Sequence, residues 1–281
     1  MRTTRKSACS HQRRNGRAEE RTRLLGGLLA CLALLIGRPC AAGSIRFART
    51  TAAGVPLMVL TVDLNNPNVK VTGMVVPPWH AEPFESMIRR AHPTAALTGT
   101  YFCERTLVPI GDIVVDGRLA HRGGMGTGLC ITDDNQCEII KTPRYRRVDW
   151  SAFDFVCCAG PRLVCAGKVA LNPWAEGFRD SRLYSRAARL AVGVTEGNHL
   201  IFAATRRPIT LRRLAMAMQA LGCMDAINLD AGSSLGLYYN AKVKAHPHRK
   251  LTNLILIYDD RQRYERFKHR LTPLRPQTAS R

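Results

Sequence analysis

The stretch Asp225–Gly236, DAINLDAGSSLG, carries the most informative pattern of this chain. Its apolar residues predict a short buried strand that ends at the carboxylate of Asp230. Gly232 can adopt backbone angles that are closed to other residues, so successive N–H groups of the turn can converge on an anion. The pattern therefore predicts substrate-binding positions at the exit of this strand, namely Asn228, Gly232, Ser233 and Ser234.

The residues before this stretch predict a helix that leads into it. Thr210 is a capping residue, the apolar residues that follow share one helical face, and Gly222 is a stop signal. A carboxylate beside an anion-binding turn suits the hydrolysis of a sugar joined to a phosphate. The alternative is that the Asp-Ala-Gly-Ser-Ser run is only a polar turn leaving a core strand.

Other segments extend the pattern along the chain. An early element, Thr98-Gly99-Thr100-Tyr101-Phe102, again places small residues and hydroxyls where a strand ends. Further segments follow in the order Pro109–Gly111, Val115–Arg118, Gly160–Val164 and Arg189–Val194. Together with the Asn228–Ser234 run, they resemble the phosphodiester glycosidase family from about residue 55 to residue 258. Thr98 and Ala231 depart from the asparagine and glycine that are common in that family.

The resemblance implies an enzyme that hydrolyses sugar-1-phosphodiester bonds, with substrate-binding roles for several residues. Arg189 aligns with an arginine of the family, and a guanidinium can hold phosphate through two parallel hydrogen bonds. A structural ion pair is the alternative for Arg189. Arg249 precedes the last predicted strand and could line the same cleft. The remaining predicted substrate contacts are Thr98, Thr100 and Tyr101.

Hydrolysis at the anomeric carbon of a sugar usually places two carboxylates around an oxocarbenium-like state. Asp230 is the first candidate, as a base, a nucleophile or a metal ligand. Glu176 is the second candidate, with Asp180 behind it, because both lie in a predicted loop. Local pairing between Arg179 and Asp180 is the alternative. The sequence requires no cofactor, although a divalent metal is compatible with it.

The N-terminus predicts export. Leu24–Ile36 is an apolar run behind a basic stretch, and small residues precede Gly43, so residues 1–42 are predicted to be a signal peptide. An uncleaved signal would be the only contact with a membrane. Nine basic and two acidic residues lie in this leader, which leaves a formal charge of +14 on residues 43–281. We expect a periplasmic or extracellular protein whose partner is a phosphorylated glycan or polysaccharide, and no nucleic-acid module is recognised.

Seven cysteines follow the leader, and export would permit disulfides among them. Cys130 and Cys137 flank a predicted hairpin tip, so a disulfide between them is the first expectation. A second expectation pairs Cys157 or Cys158 with Cys165. Zinc binding fits poorly, because there is no CxxC pair and no nearby pair of histidines.

The fold class predicted from apolar alternation is α+β, with a large mixed β-sheet core, a few packed helices and a single domain. Two strands are predicted at Val55–Val62 and Val69–Val76, joined by an Asn-rich turn. The domain is expected to cover residues 43–260. Residues 261–281 are predicted to be a basic, solvated tail.

Overall fold

The computed structural model describes residues 43–143 and 147–273, and the predicted signal peptide lies outside these ranges. The described part contains four α-helices: α1 (Phe84–Ala91), α2 (Ser181–Tyr184), α3 (Leu211–Ala220) and α4 (Arg261–Phe267). Its strands are β1 (Ile45–Ala52), β2 (Val55–Asp63), β3 (Lys70–Val75), β4 (Ala95–Thr98), β5 (Ile113–Val115), β6 (Arg118–His121), β7 (Thr127–Ile131), β8 (Cys137–Lys141), β9 (Phe155–Ala159), β10 (Arg162–Cys165), β11 (Lys168–Val169), β12 (Ala187–Thr195), β13 (His199–Ile209), β14 (Cys223–Leu229), β15 (Leu237–Tyr239), β16 (Lys242–Ala245) and β17 (Asn253–Tyr258).

The strands form three antiparallel sheets within one compact unit, which confirms the predicted α+β class with its large sheet core. The seven-stranded sheet has the order β1-β2-β13-β12-β14-β10-β11. The second sheet has the order β16-β15-β4-β17-β3, and the third has the order β6-β5-β9-β7-β8. Strands β2 and β3 are adjacent in the chain but belong to different sheets. The Asn-rich turn between them therefore carries the chain from one sheet to another.

The main core lies between the seven-stranded sheet and the other two sheets. Leu60 of β2, Leu97 of β4 and Leu129 of β7 are all fully buried in it. Helix α3 covers the opposite face of the seven-stranded sheet, while α1 and α4 pack on the outer face of the second sheet. Because both faces of the large sheet are covered, strands such as β14 are buried on both sides.

Helix α3 forms where its sequence predicts it. The side chain of Thr210 accepts a hydrogen bond from the backbone N–H of Arg213 at 3.3 Å, so it caps the helix. The apolar side of the helix, which includes Leu214 and Met218, is buried against the sheet. Gly222 follows with a positive φ of 81°, and the chain then enters β14.

The C-terminal region differs from the predicted tail. Residues 261–267 form α4, which Asp260 caps by accepting from the backbone N–H of Gln262 at 2.8 Å. Tyr264 and Leu271 are buried in the core beneath the second sheet. The folded domain therefore extends past residue 260, because the side chains of Tyr264 and Leu271 in this basic segment are buried in that core.

The predicted Cys130–Cys137 disulfide is wrong. In the β7–β8 hairpin, Cys130 lies opposite Glu138 and Ile131 lies opposite Cys137. Neighbouring residues of a strand point to opposite faces, so the two thiols lie on different sides of the sheet. Cys130 packs with Trp150, whereas Cys137 packs against the main core. The cysteines of the second expectation are also free thiols, and β9 and β10 belong to different sheets.

None of the helices in the described residues is long and apolar enough to cross a lipid bilayer.

Candidate active site

Two strand exits from different sheets meet at the candidate site. The backbone N–H of Asp230, just after β14, donates to the carbonyl oxygen of Gly99, just after β4, at 3.0 Å. The two sequence motifs that predicted function, residues 98–102 and 228–234, are therefore in contact. Gly232 begins a short 3-10 turn, Gly232–Ser234, with a positive φ of 61°.

Asp230 lies half-buried in the wall of a cavity of about 830 Å³. Burial raises the pKa of its carboxyl from 3.8 to about 7, because water no longer stabilises the charge. A hydrogen bond from Ser234 and the positive charge of Arg249 lower the same pKa by smaller amounts. A carboxyl with a pKa near neutrality is suited to proton transfer.

Asn228 and Tyr101 form the buried floor of the cavity. The side-chain amide of Asn228 donates to the hydroxyl of Tyr101, and that hydroxyl donates to the carbonyl oxygen of Gly160 at 2.7 Å. The carbonyl oxygen Oδ1 of Asn228 is buried and has no hydrogen-bond partner among the described residues. It is therefore an acceptor that a ligand hydroxyl could satisfy.

Thr98 and Thr100 lie deeper and hold the framework of the site. The Thr98 hydroxyl donates to the carbonyl oxygen of Ser234 at 2.6 Å and accepts from the N–H of Gly236 at 3.0 Å. Asn253 accepts from the backbone N–H of Thr100 at 2.7 Å. Neither threonine lines the cavity, so the structure does not bring these two predicted contacts to the ligand space.

A close approach at Gly99 explains why a glycine stands there. A Cβ atom at this position would lie 2.2 Å from Oδ1 of Asn253. That oxygen and the amide of the same side chain bind both backbone groups of Thr100. A side chain at residue 99 would therefore break the clamp that fixes the exit of β4.

Arg189 lines the cavity, but its guanidinium is engaged by backbone groups. Its Nη2 donates to the carbonyl oxygen of Leu183 at 2.9 Å and to that of Ser185, and its Nε donates to Ile209 at 3.3 Å. Burial also lowers the pKa of this guanidinium. The phosphate role predicted for Arg189 therefore needs correction, because most of its donors already hold α2 and β13 together.

The second predicted carboxylate also needs correction. Glu176 is buried outside the cavity lining, where Oε2 accepts from the hydroxyl of Thr127 at 2.7 Å and Oε1 accepts from the N–H of Arg162 at 3.0 Å. It therefore connects three chain segments rather than facing a ligand. Asp180 does line the cavity, but it caps α2 and forms an ion pair with Arg182 at 2.7 Å.

Three charged residues at the cavity mouth complete the site, and the sequence predicted only one of them. Oε1 of Glu104 accepts from Nη1 of Arg182 at 2.8 Å and from Nη1 of Arg249 at 2.9 Å. The guanidinium of Arg249 also lies 4.3 Å from the ring centre of Phe102. Two signals in the sequence could have found the others: Glu104 lies two residues after the 98–102 motif, and Arg182 lies two residues after Asp180.

The cavity is rich in positive charge. Its lining includes five arginines and three carboxylates: Arg105, Arg179, Arg182, Arg189, Arg249, Glu104, Asp180 and Asp230. Ser233 also lines the cavity and is exposed to solvent. The carbonyl oxygen of Ser233 accepts a hydrogen bond from the backbone N–H of His248 at 2.7 Å. Within residues 43–143 and 147–273, no group of three His, Cys, Asp or Glu side chains could hold a metal ion. The arrangement suits an anionic organic ligand.

Comparison with known proteins identifies a family for most of the described residues. The model of the phosphodiester glycosidase family matches residues 91–258, which is more than half of the chain. This range contains the exits of β4 and β14 and every residue of the charged cavity lining. Among curated proteins, none matches the sequence.

Solved structures share the fold at low sequence identity. The catalytic domain of zebrafish N-acetylglucosamine-1-phosphodiester alpha-N-acetylglucosaminidase, auto-inhibited by its pro-peptide, superposes with a TM-score of 0.62 and 20% identity over 76% of this chain and 82% of that one. A hypothetical protein from Synechocystis gives a TM-score of 0.61 and 16% identity over 76% of this chain, which spans 61% of that protein. A putative exported protein from Burkholderia pseudomallei gives 0.53 and 14% over 72% of this chain and 74% of that one.

Proposed function

The chain belongs to the phosphodiester glycosidase family, and from that premise we propose that it is an exported hydrolase of sugar-1-phosphodiester bonds in phosphorylated glycans or exopolysaccharide. The observation that carries the proposal is Asp230, a carboxylate with a pKa of about 7 in the wall of an arginine-lined cavity. A cavity of about 830 Å³ is large enough for a sugar with its phosphate.

The bond between the anomeric carbon and the phosphate oxygen breaks with its electron pair leaving on the phosphate. The departing phosphate monoester is already a good leaving group, so stabilising its negative charge matters more than protonating it. The arginines at the cavity mouth supply that stabilisation. Asp230, in its ionised form, takes the proton of the water that attacks the sugar.

The sugar is bound by the neutral part of the cavity. The free acceptor Oδ1 of Asn228 receives a sugar hydroxyl, which removes the cost of an unpaired buried oxygen. The hydroxyl of Tyr101 accepts a hydrogen bond from the amide of Asn228 and so fixes that side chain. The ring of Tyr101 packs edge-on against that of Phe178, with a distance of 6.0 Å between the ring centres. This floor positions the ring while Asp230 acts at the anomeric carbon.

The decisive experiment offers mature protein a panel of sugar-1-phosphodiesters and measures the free sugar released. Asp230→Asn keeps the size of the side chain and removes its basicity, so we expect turnover to fall by about 10²-fold or more. Glu196→Gln is the control, since it removes a carboxylate at an exposed position outside the cavity lining and should leave turnover unchanged. Equal turnover of Asp230→Asn and wild type would contradict the role of Asp230.

A second candidate is binding of anionic polysaccharide without turnover during envelope or exopolysaccharide biogenesis. One observation favours it: Glu176 and Asp180, the expected partners of Asp230, are held by other residues. Glycan binding without any release of sugar from the panel would favour this candidate over the hydrolase.

A further inference from the structure

We infer that Arg182 and Arg249 form the phosphate subsite of the cavity, and that the carboxylate of Glu104 occupies this subsite in the free protein. The inference rests on the proposed function, because it assigns the residues that hold the departing phosphate. It goes beyond that function by naming an internal anion that the substrate must displace.

The geometry is that of an anion held between two guanidinium groups. Both arginines donate through Nη1 to a single oxygen of Glu104, at 2.8 and 2.9 Å. The three residues come from distant parts of the chain: Glu104 follows β4, Arg182 belongs to α2, and Arg249 precedes β17. All three line the cavity, so the oxygen of Glu104 marks a point where an anion binds at its mouth.

Two other arginines of the cavity lining are less suited to this role. Nε and Nη2 of Arg189 already donate to three backbone carbonyl oxygens. Arg179 lies 3.4 Å from the ring centre of Trp174 and donates to the carbonyl oxygen of the same residue at 2.6 Å. Arg182 also donates through Nε and Nη2 to the carboxylate of Asp180, but its guanidinium is exposed, and its Nη1 contacts only the exposed carboxylate of Glu104 among the described residues. Nη1 of Arg249 contacts the same carboxylate. A phosphate with several oxygens can take both donors at once, as the single carboxylate oxygen now does.

Exposure makes the exchange feasible. The Glu104 side chain is 54% exposed, so it can turn into water when a stronger anion arrives. The subsite also lies close to the reacting group, since the charges of Arg249 and Glu104 both influence the pKa of Asp230. A phosphate held here would therefore place its sugar against Asp230.

The test measures binding of inorganic phosphate to mature protein by calorimetry, which needs no turnover. We expect Arg182→Gln and Arg249→Gln each to weaken binding by about tenfold, the loss of a charge-assisted hydrogen bond. We expect Glu104→Gln to tighten it by about threefold or more, because the internal competitor loses its charge. Arg186→Gln, an exposed neighbour outside the cavity lining, controls for the loss of one positive charge.

Unchanged phosphate affinity in Arg182→Gln, Arg249→Gln and Glu104→Gln would overturn the inference, as would equal weakening by Arg186→Gln. Melting temperatures identify variants that fail to fold, and Arg249→Lys replaces Arg249→Gln in that case, since it keeps the charge while losing the two-donor geometry. If no sugar is released from any phosphodiester while phosphate affinity follows the expected order, the hydrolase proposal fails and the subsite stands.

Discussion

At the scale of single residues, burial decides the chemistry of Asp230. The same carboxyl on an exposed loop would be ionised at any physiological pH. Here the exit of β14 places it against the exit of β4, and the loss of water raises its pKa to about 7. A small change in its surroundings therefore changes its protonation state near neutral pH.

The pKa of Asp230 predicts a pH profile for the proposed reaction. As a base, Asp230 must be ionised, so kcat/KM should rise with pH up to about 7 and then level off. Below that pH, we expect about a tenfold loss for each pH unit. A profile that is flat between pH 5 and 8 would exclude Asp230 as the group that must lose its proton.

A stability measurement checks the same pKa without turnover. Because folding raises this pKa above its ordinary value of 3.8, the native state favours the protonated carboxyl. That stabilisation is fully present below pH 3.8 and is lost as the pH rises through about 7. Asp230→Asn should therefore raise the melting temperature relative to wild type more at pH 8 than at pH 4.

Arg189 is predicted to contribute stability rather than phosphate affinity. Arg189→Lys leaves at least one of the carbonyl oxygens of Leu183, Ser185 and Ile209 without its donor. We expect the free energy of unfolding to fall by about 2–4 kcal/mol, as for lost hydrogen bonds to a buried charge. Arg186→Lys, at an exposed position, should change it by less than about 0.5 kcal/mol. Chemical unfolding measures both, and a stable Arg189→Lys variant with weak phosphate binding would return the role to Arg189.

At the scale of elements, sheet register decides what neighbouring side chains can do. Cys130 and Cys137 flank one turn, yet they point to opposite faces because they are offset by one position across the hairpin. Burial also raises the pKa of the Cys130 thiol, which keeps it protonated and unreactive.

We expect the melting temperature to be the same with and without a thiol reductant. A structural disulfide would contribute about 2–4 kcal/mol, so its reduction would lower the melting temperature by several degrees. Peptide mapping under non-reducing conditions provides the direct measurement. A linked Cys130–Cys137 peptide from exported protein would contradict the register of β7 and β8.

Helix α4 and the segment after it are predicted to be part of the folded core. Leu271 is fully buried against the second sheet, so Leu271→Ala should lower the free energy of unfolding by about 2–5 kcal/mol. Arg266→Ala, at an exposed position of α4, should change it by less than about 0.5 kcal/mol. Equal stability of the two variants would restore the interpretation of this region as a solvated tail.

At the scale of the whole molecule, the net positive charge is consistent with the proposed action of an exported enzyme on anionic glycans. Residues 43–281 carry a formal charge of +14, and five arginines line the cavity. A positive field of this kind attracts anionic polymers and raises the rate at which they meet the site. We therefore expect the wider charge to concentrate the phosphorylated glycan that the cavity is proposed to cleave.

Export predicts a specific N-terminus for the mature protein. Cleavage after Ala42 would leave Gly43 as the first residue, two positions before β1 begins at Ile45. The carbonyl oxygen of Ser44 already accepts from the N–H of Asp63 at 2.8 Å, so a cut further along would remove part of the sheet edge. Mass spectrometry of protein recovered outside the cytoplasm should find Gly43 at the N-terminus. An intact leader on that protein would indicate an anchored form instead.

The sequence by itself determined the features that depend on near neighbours in the chain. Apolar alternation located β2 and β3, and a capping threonine with one apolar face located α3. The same local logic placed Asp230 at the end of a buried strand, because a strand's pattern and its stop signal lie within a few residues of each other.

Only the tertiary structure decided which charged side chains face the ligand. Arg189 and Glu176 are both candidates in the sequence, but backbone groups and the hydroxyl of Thr127 occupy most of their donors and acceptors, whereas Arg249 lies at the cavity with Glu104 as its partner. The role proposed for Glu104 depends on the hydrogen bonds that its carboxylate accepts from Arg182 and Arg249, which lie in other segments of the chain. Which groups bind a given donor or acceptor, and which of the three sheets a strand joins, depend on contacts between segments that are distant in the chain. Local sequence patterns do not contain this information.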